Sequence, residues 1–154
     1  MRIALYQPDI PQNTGTILRL AACFGIAVDI IEPCGFALSD ARMRRAGMDY
    51  VDRVDWTRHV SWDRFRAGKA PGRLVLLTTK AAAPLQNFVF EESDTLLFGR
   101  ESAGVPDEVH DAADARVLIP MRSGLRSLNI AVSASIALWE ALRQTGLAPS
   151  SHGR

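Results

Sequence analysis

Three stretches of the 154-residue chain gather side chains and glycines of the kind that hold nucleotides or move protons. The first is Asn13-Thr14-Gly15-Thr16-Ile17-Leu18-Arg19, which follows a proline-containing loop from Pro8 to Pro11. Asn13 and Thr14 have the short polar side chains that cap helices, and Gly15 lets another group approach the backbone closely. Arg19 falls on an otherwise apolar helix. An arginine there either lays its stem along apolar surface or aims its guanidinium at an anion. A glycine-bearing loop that opens a helix is a common phosphate cradle, but neither the GxGxxG nor the Walker pattern is present. A plain capped helix and an anion site both remain open.

The second stretch is Leu97-Phe98-Gly99-Arg100-Glu101-Ser102-Ala103-Gly104-Val105-Pro106. Two glycines bracket a charged pair after an apolar run. Gly99 leaves room for a flat ligand against the backbone, and Glu101 can bond a ribose, an amine or an arginine. A strand-to-helix turn with Pro106 at the helix start explains the same residues without a ligand. The third stretch joins Ile119-Pro120-Met121 and Ser123-Gly124 to Ser127-Leu128-Asn129, which lead into Ile130-Ala131-Val132-Ser133-Ala134-Ser135. Ser127 or Asn129 suits the cap of a final helix. Its small residues from Ala131 to Ala137 allow close packing, against the core or against a ligand.

Such clusters need a scaffold. Short apolar runs at 3–6, 28–31, 74–77, 95–98 and 117–119 predict strands, with a further short strand at 50–54. Helical spacing predicts helices over 13–24, capped by Asn13 or Thr14 and stopped by Gly25, and over 39–46, 61–67, 106–113 and 128–144. Apolar strands alternating with helices imply an α/β protein whose parallel sheet is covered on both faces, with ligands at the carboxyl ends of the strands. No repeat or linker divides residues 1–154, so a single domain is expected, with a frayed tail over about 148–154.

No apolar run reaches the roughly 20 residues of a membrane helix, and the start MRIALYQPDIPQNTG has too short an apolar run for a signal peptide. The cysteines Cys23 and Cys34 form no metal or disulfide pattern. Cys23, among Leu20, Ala21, Ala22 and Phe24, reads as a buried apolar residue. His59, His110 and His152 are far apart and read as surface or loop residues, and no metal site is expected. Net charge is +1, which averages over an asymmetry: nine Arg or Lys against four Asp from Arg42 to Arg73, and two Arg against eight Asp or Glu from Gln86 to Arg116. That segregation suits a polyanion partner, although solvated helix faces would produce it too.

Together the three stretches resemble the SPOUT superfamily of RNA methyltransferases. Asn13, Gly15 and Arg19 match its N-x-G-x-x-x-R motif, FGRESAGV its second motif, and IPM with SLNIAVSASIAL its third. Within that superfamily the chain is most similar to the small single-domain tRNA wobble-position (cytidine/uridine-34) ribose 2′-O-methyltransferases. The likeness also covers LYQPDIPQNTG, IIEPCGF, RRAGMDY and LLTTK, and runs to about Leu147. It implies a parallel sheet flanked by helices with a C-terminal trefoil knot, an obligate homodimer and a cytoplasmic enzyme. The implied reaction takes a methyl group from S-adenosyl-L-methionine to the wobble nucleotide of the tRNA anticodon and leaves S-adenosylhomocysteine, without a metal.

Carried over residue by residue, the resemblance assigns the cofactor to Leu77, Thr78, Gly99, Ile119, Met121, Ser127 and Leu128. It makes Arg19 catalytic, with Asn13, Glu101, Ser127 and Asn129 orienting it and the nucleotide. With no RNA-binding extension, the basic segment becomes the tRNA contact, chiefly Arg42, Arg44 and Arg45. Arg100 departs from the proline or serine equally expected beside Gly99, which alters charge near the nucleotide. Trp139 suits an interface or the core. Methylation of another tRNA position or of ribosomal RNA fits the same motifs, and a non-catalytic RNA-binding dimer is the alternative outside the enzymes.

Overall fold

The computed structural model describes residues 1–39, 41, 50–81 and 83–150. The helix expected over 39–46, with Arg42, Arg44 and Arg45, and most of the tail lie outside the described residues.

Among the described residues, seven strands form one sheet in the order β3-β2-β1-β6-β4-β7-β5. They are β1 (Arg2–Tyr6), β2 (Ala27–Ile31), β3 (Trp56–His59), β4 (Leu74–Leu77), β5 (Ala83–Pro84), β6 (Thr95–Phe98) and β7 (Ala115–Leu118). Every pairing between them is parallel. The helices are α1 (Pro11–Phe24), α2 (Trp62–Gly68), α3 (Asp107–Ala112) and α4 (Ile130–Thr145).

Strand residues alternate between two cores, as the pleat requires. Ile3, Leu5, Val28, Ile30, Val75, Leu96, Phe98 and Val117 meet Ile17, Leu18 and Ala21 of α1 and the Ala131, Ala134, Leu138 and Leu142 face of α4. Ala4, Tyr6, Ile31, Leu74, Leu76 and Leu97 meet Trp62 and Phe65 of α2 and Val109 of α3 on the other side. Burial on both faces explains why these strands read as unbroken apolar runs.

Strand β6 lies between β1 and β4, so the loops after β1 and β6 emerge side by side at the carboxyl edge, where a parallel α/β sheet opens a crevice. At the opposite, amino edge, a glycine lets the chain entering β4 pass close to the chain entering β6. Gly72, just before β4, has φ +113°, and a Cβ there would stand 2.0 Å from the Ser93 carbonyl oxygen. Gly72→Ala is expected to cost at least about 2 kcal/mol, since strain at such a backbone and a displaced loop add. Urea titration against wild type measures it.

Several expectations need correction. Residues 50–54 are not a strand: Val51–Arg53 is a 3₁₀ turn with only Val51 buried. The strand follows instead, at Trp56–His59, an edge strand whose polar residues carry no apolar signal. The edge strand Ala83–Pro84 has too few residues for a pattern, and its proline is tolerated at an edge. Helix α1 starts two residues earlier than expected, with Pro11 in its first turn and Ile10 at the cap position, so neither Asn13 nor Thr14 caps it. Cys23 is exposed, not buried. His59 is no loop residue: it sits on β3 and meets the buried Asp29 carboxylate at 2.7 Å, with Arg2 bonded to that carboxylate at 2.9 Å. A buried carboxylate requires such partners. Cys34 is half-buried, and desolvation pushes its thiol up to about 12, which leaves it unreactive.

Candidate active site

A cavity of about 840 Å³ opens at the carboxyl ends of β4, β6 and β7, beside the N-terminus of α4. Its wall brings together all seven residues that the motifs assign to a cofactor: Leu77, Thr78, Gly99, Ile119, Met121, Ser127 and Leu128. Asn13, Glu101 and Asn129 line it as well. Arg19 does not: it is exposed on α1, with its guanidinium carbon 4.9 Å from the centre of the Tyr50 ring.

A chain of hydrogen bonds explains why Asn13 is polar without being a cap. The Glu101 carboxylate accepts the Asp9 backbone N–H at 2.7 Å and, more weakly, the Asn13 amide at 3.5 Å. Asn13 Oδ1 accepts from Asn129 Nδ2 at 3.0 Å. Asn129 Oδ1 accepts the N–H groups of Ala131 and Val132, at 2.8 and 3.3 Å, and so caps α4. Of the two caps expected for that helix, Asn129 is the one found, and Ser127 faces the cavity. The loop after β1, the loop after β6 and the start of α4 are thereby tied together.

Asp9 adds a second tie. Its carboxylate accepts from the Ser102 hydroxyl, from the Ser102 N–H at 3.1 Å and from Arg100 Nη2 at 3.4 Å. These bonds, the Ser102 hydroxyl first and the Arg100 charge after it, hold the Asp9 carboxyl below its ordinary range. Arg100 also reaches Gln7 Oε1 at 3.5 Å, and its backbone exchanges two hydrogen bonds of 2.9 Å with Gly104. The arginine that departs from the motif therefore works as a tie between the two loops.

Gly99 lines the cavity, and on the side where a Cβ would stand it is packed by backbone, with that position 2.6 Å from the Gly104 carbonyl carbon. Asp9 and Gln7 had no role in the sequence reading, because acceptors for a loop 93 residues away leave no local signal. Nor did His110, read as a surface or loop residue: it sits on α3, lines the cavity, and accepts at Nδ1 from Arg116 Nε at 3.2 Å. Among the described residues no group of His, Cys, Asp and Glu can hold a metal ion. No helix among them is long and apolar enough to cross a membrane.

A parallel α/β sheet whose carboxyl edge carries a nucleotide-sized cavity, walled by apolar groups and loop backbone with a few convergent polar side chains, defines a nucleotide-binding α/β protein. Residues 1–139 match the SpoU rRNA Methylase family. The chain belongs to that family, in agreement with the likeness carried by its three motifs.

It is 60% identical to a tRNA (cytidine(34)-2'-O)-methyltransferase of Beijerinckia indica subsp. indica, over 94% of this chain and 91% of that one. It is 42% identical to the Escherichia coli K12 protein of the same name, over 95% and 94%. A solved structure concerned with 2-OH methylation of C/U34 on tRNA superposes with a TM-score of 0.87 at 42% identity, over 93% and 94% of the two chains. A SpoU methyltransferase from Streptomyces viridochromogenes, solved in complex with the cofactor AdoMet, superposes with a TM-score of 0.80 at 26% identity, over 94% of this chain and 60% of that one.

Proposed function

We propose that this protein transfers the methyl group of S-adenosylmethionine to the ribose 2′-hydroxyl of the wobble nucleotide, cytidine or modified uridine, in the tRNA anticodon. The observation that carries the reading is the convergence of the second and third motifs, with Asn13 of the first, on one cavity, in a chain 60% identical over 94% of its length to a relative named for that reaction. The cavity fits the cofactor. Leu76, Leu77, Ile119 and Leu128 offer apolar surface to an adenine ring, and Thr78 and Ser127 offer hydroxyls to its polar edge.

When bound, S-adenosylmethionine supplies a methyl group on a sulfonium, already a good leaving group. The protein's task is then mostly alignment of the attacking oxygen. The Asp9–Glu101–Asn13–Asn129 chain sets the shape of the cavity mouth, and Ser127 and Asn129 orient the nucleotide there. Arg19 presents a planar fork of donors to the 2′-hydroxyl and the adjoining phosphate. A guanidinium has no lone pair to offer a proton and is a poor base, so Arg19 orients these groups while the proton leaves to another acceptor.

The active enzyme is a homodimer. One face of α4 is exposed yet apolar: Leu128, Val132, Ile136 and Trp139 are 38, 47, 39 and 50% accessible. Leu128 also lines the cavity, so a second copy seated on this stripe borders the cavity mouth and brings a second Arg19 towards it, the one motif cation that the cavity's own chain does not place beside Lys80, Arg100 and Arg126. The chain from β7 through α4 forms a trefoil knot, which accounts for a cavity walled by four separate stretches of sequence. Residues 1–154 act as one domain in the cytoplasm, with a tail from about 148, and Arg42, Arg44 and Arg45 contact the tRNA.

The deciding experiment is methyl transfer from labelled S-adenosylmethionine to tRNA lacking this modification, with the product nucleoside mapped by mass spectrometry. A 2′-O-methyl group at the wobble nucleotide is expected. Methylation at another tRNA position or of ribosomal RNA would discard the wobble assignment, and tRNA binding without cofactor binding would make the chain an RNA-binding dimer.

A further inference from the structure

Two arginines share one aromatic ring at the edge of α1. The Arg19 guanidinium carbon lies 4.9 Å from the centre of the Tyr50 ring and that of Arg53 lies 6.0 Å from it. Contact with a ring engages the flat face of a guanidinium and leaves its in-plane N–H groups available to an anion. Other arginines of the chain are held differently. Arg2 bonds Asp29, Arg58 bonds Glu32, and Arg73 binds Asp94 through two nitrogens. Their donors are occupied by carboxylates. Among the described residues, neither Arg19 nor Arg53 is bonded to one.

The backbone that carries the ring is held by packing. Tyr50 is the residue before the 3₁₀ turn Val51–Arg53, and Val51 is buried in the same core as Ile17, Leu18 and Ala21 of α1. Core packing thus sets where Tyr50 and Arg53 stand relative to Arg19. Left alone, an exposed arginine would sample many rotamers, and every one away from the ribose is unproductive.

We infer that Tyr50 is a positioning residue that holds the Arg19 guanidinium for the RNA backbone, and that Arg53 contacts a second phosphate of the same strand. The inference rests on tRNA being the substrate. It assigns the pair a joint task, with Tyr50 acting on turnover through Arg19 and Arg53 acting on affinity through charge.

The test uses the full-length protein with S-adenosylmethionine and unmodified tRNA, and compares Tyr50→Leu, Tyr50→Phe and Arg53→Gln. Tyr50→Leu is expected to lower kcat about 10- to 100-fold at saturating tRNA, with cofactor affinity unchanged by calorimetry. Tyr50→Phe, which keeps the ring face, recovers most of that loss. In an Arg19→Ala background Tyr50→Leu costs almost nothing more, whereas damage to the fold would cost as much as before.

Arg53→Gln raises KM for tRNA about tenfold and reduces the slope of log binding constant against log salt by about 0.7, the value for one phosphate of a single strand. Wild-type kcat in Tyr50→Leu, equal damage in Tyr50→Phe, or a full Tyr50→Leu loss on top of Arg19→Ala overturns the positioning role. An unchanged salt slope in Arg53→Gln overturns the second contact. Wild-type protein that binds tRNA without methylating it removes the proposed function alone, and the Arg53→Gln slope then still decides the phosphate contact.

Discussion

Arg19→Ala is expected to lower methyl transfer by about 10²- to 10³-fold, the range for removing one positioned donor from the transition state, and still to bind S-adenosylmethionine like wild type. The separation follows from geometry. Arg19 is outside the cavity wall, so its loss leaves Leu77, Ile119, Leu128 and the polar residues around a cofactor untouched. The fold is spared as well, because the side chain is exposed on α1 and alanine is a better helix former than arginine. What disappears is the cation that the motifs assign to the ribose hydroxyl and its phosphate. Single-turnover rates paired with calorimetric cofactor affinity read the two effects apart. Near-normal turnover would end the catalytic role, and weakened cofactor binding would place Arg19 nearer the cavity than its own chain puts it.

Trp139→Asp is expected to convert the proposed dimer to monomers and to remove methyl transfer at the concentrations where wild type is active. Helix α4 is apolar on two faces. Ala131, Ala134, Leu138, Ala141 and Leu142 are buried in the core, while Leu128 just before the helix, and Val132, Ile136 and Trp139 on it, stand exposed at helical spacing. A monomer has no use for that second face, and a contiguous apolar patch of this kind marks an interface. Phe24 of α1 extends it, with its ring centre 5.9 Å from that of Trp139. In a twofold dimer the substitution enters the interface twice, and each buried, unpaired carboxylate costs several kcal/mol. Because Trp139 is half exposed in the single chain, the variant keeps its fold, which near-ultraviolet circular dichroism and a melting curve check. Sedimentation velocity then gives the outcome. An unchanged dimer with full turnover would move the interface elsewhere.

Much of this protein can be read locally. The strands at β1, β2, β4, β6 and β7 are apolar because they are covered on both faces, and that requirement is written residue by residue. So is the cap of α4 at Asn129, whose side chain reaches only two and three residues onward. The second and third motifs, with Asn13 of the first, marked residues that line the cavity, because glycines, small residues and paired polar groups are unusual wherever they occur in a chain.

The remaining features depend on partners distant in sequence. Asn13 looks like a helix cap until Glu101 and Asn129 are brought to it across 88 and 116 residues. Arg100 looks like a misplaced charge until Gln7 and Asp9 meet it, and the close approach of Gly104 to Gly99 has no local signal. The edge strands β3 and β5 have little apolar content of their own, since an edge is half solvated, and only pairing with β2 and β7 defines them. That Arg19 stands apart from the cavity was beyond any motif, because the spacing of Asn13 and Arg19 specifies two positions on a helix but not which side of it meets the sheet edge. The sequence by itself determined the elements and the inventory of reactive groups, through periodicity and residue type. Tertiary structure alone decided which of those groups share a wall, because contacts between distant segments depend on strand order and on burial of both sheet faces at once.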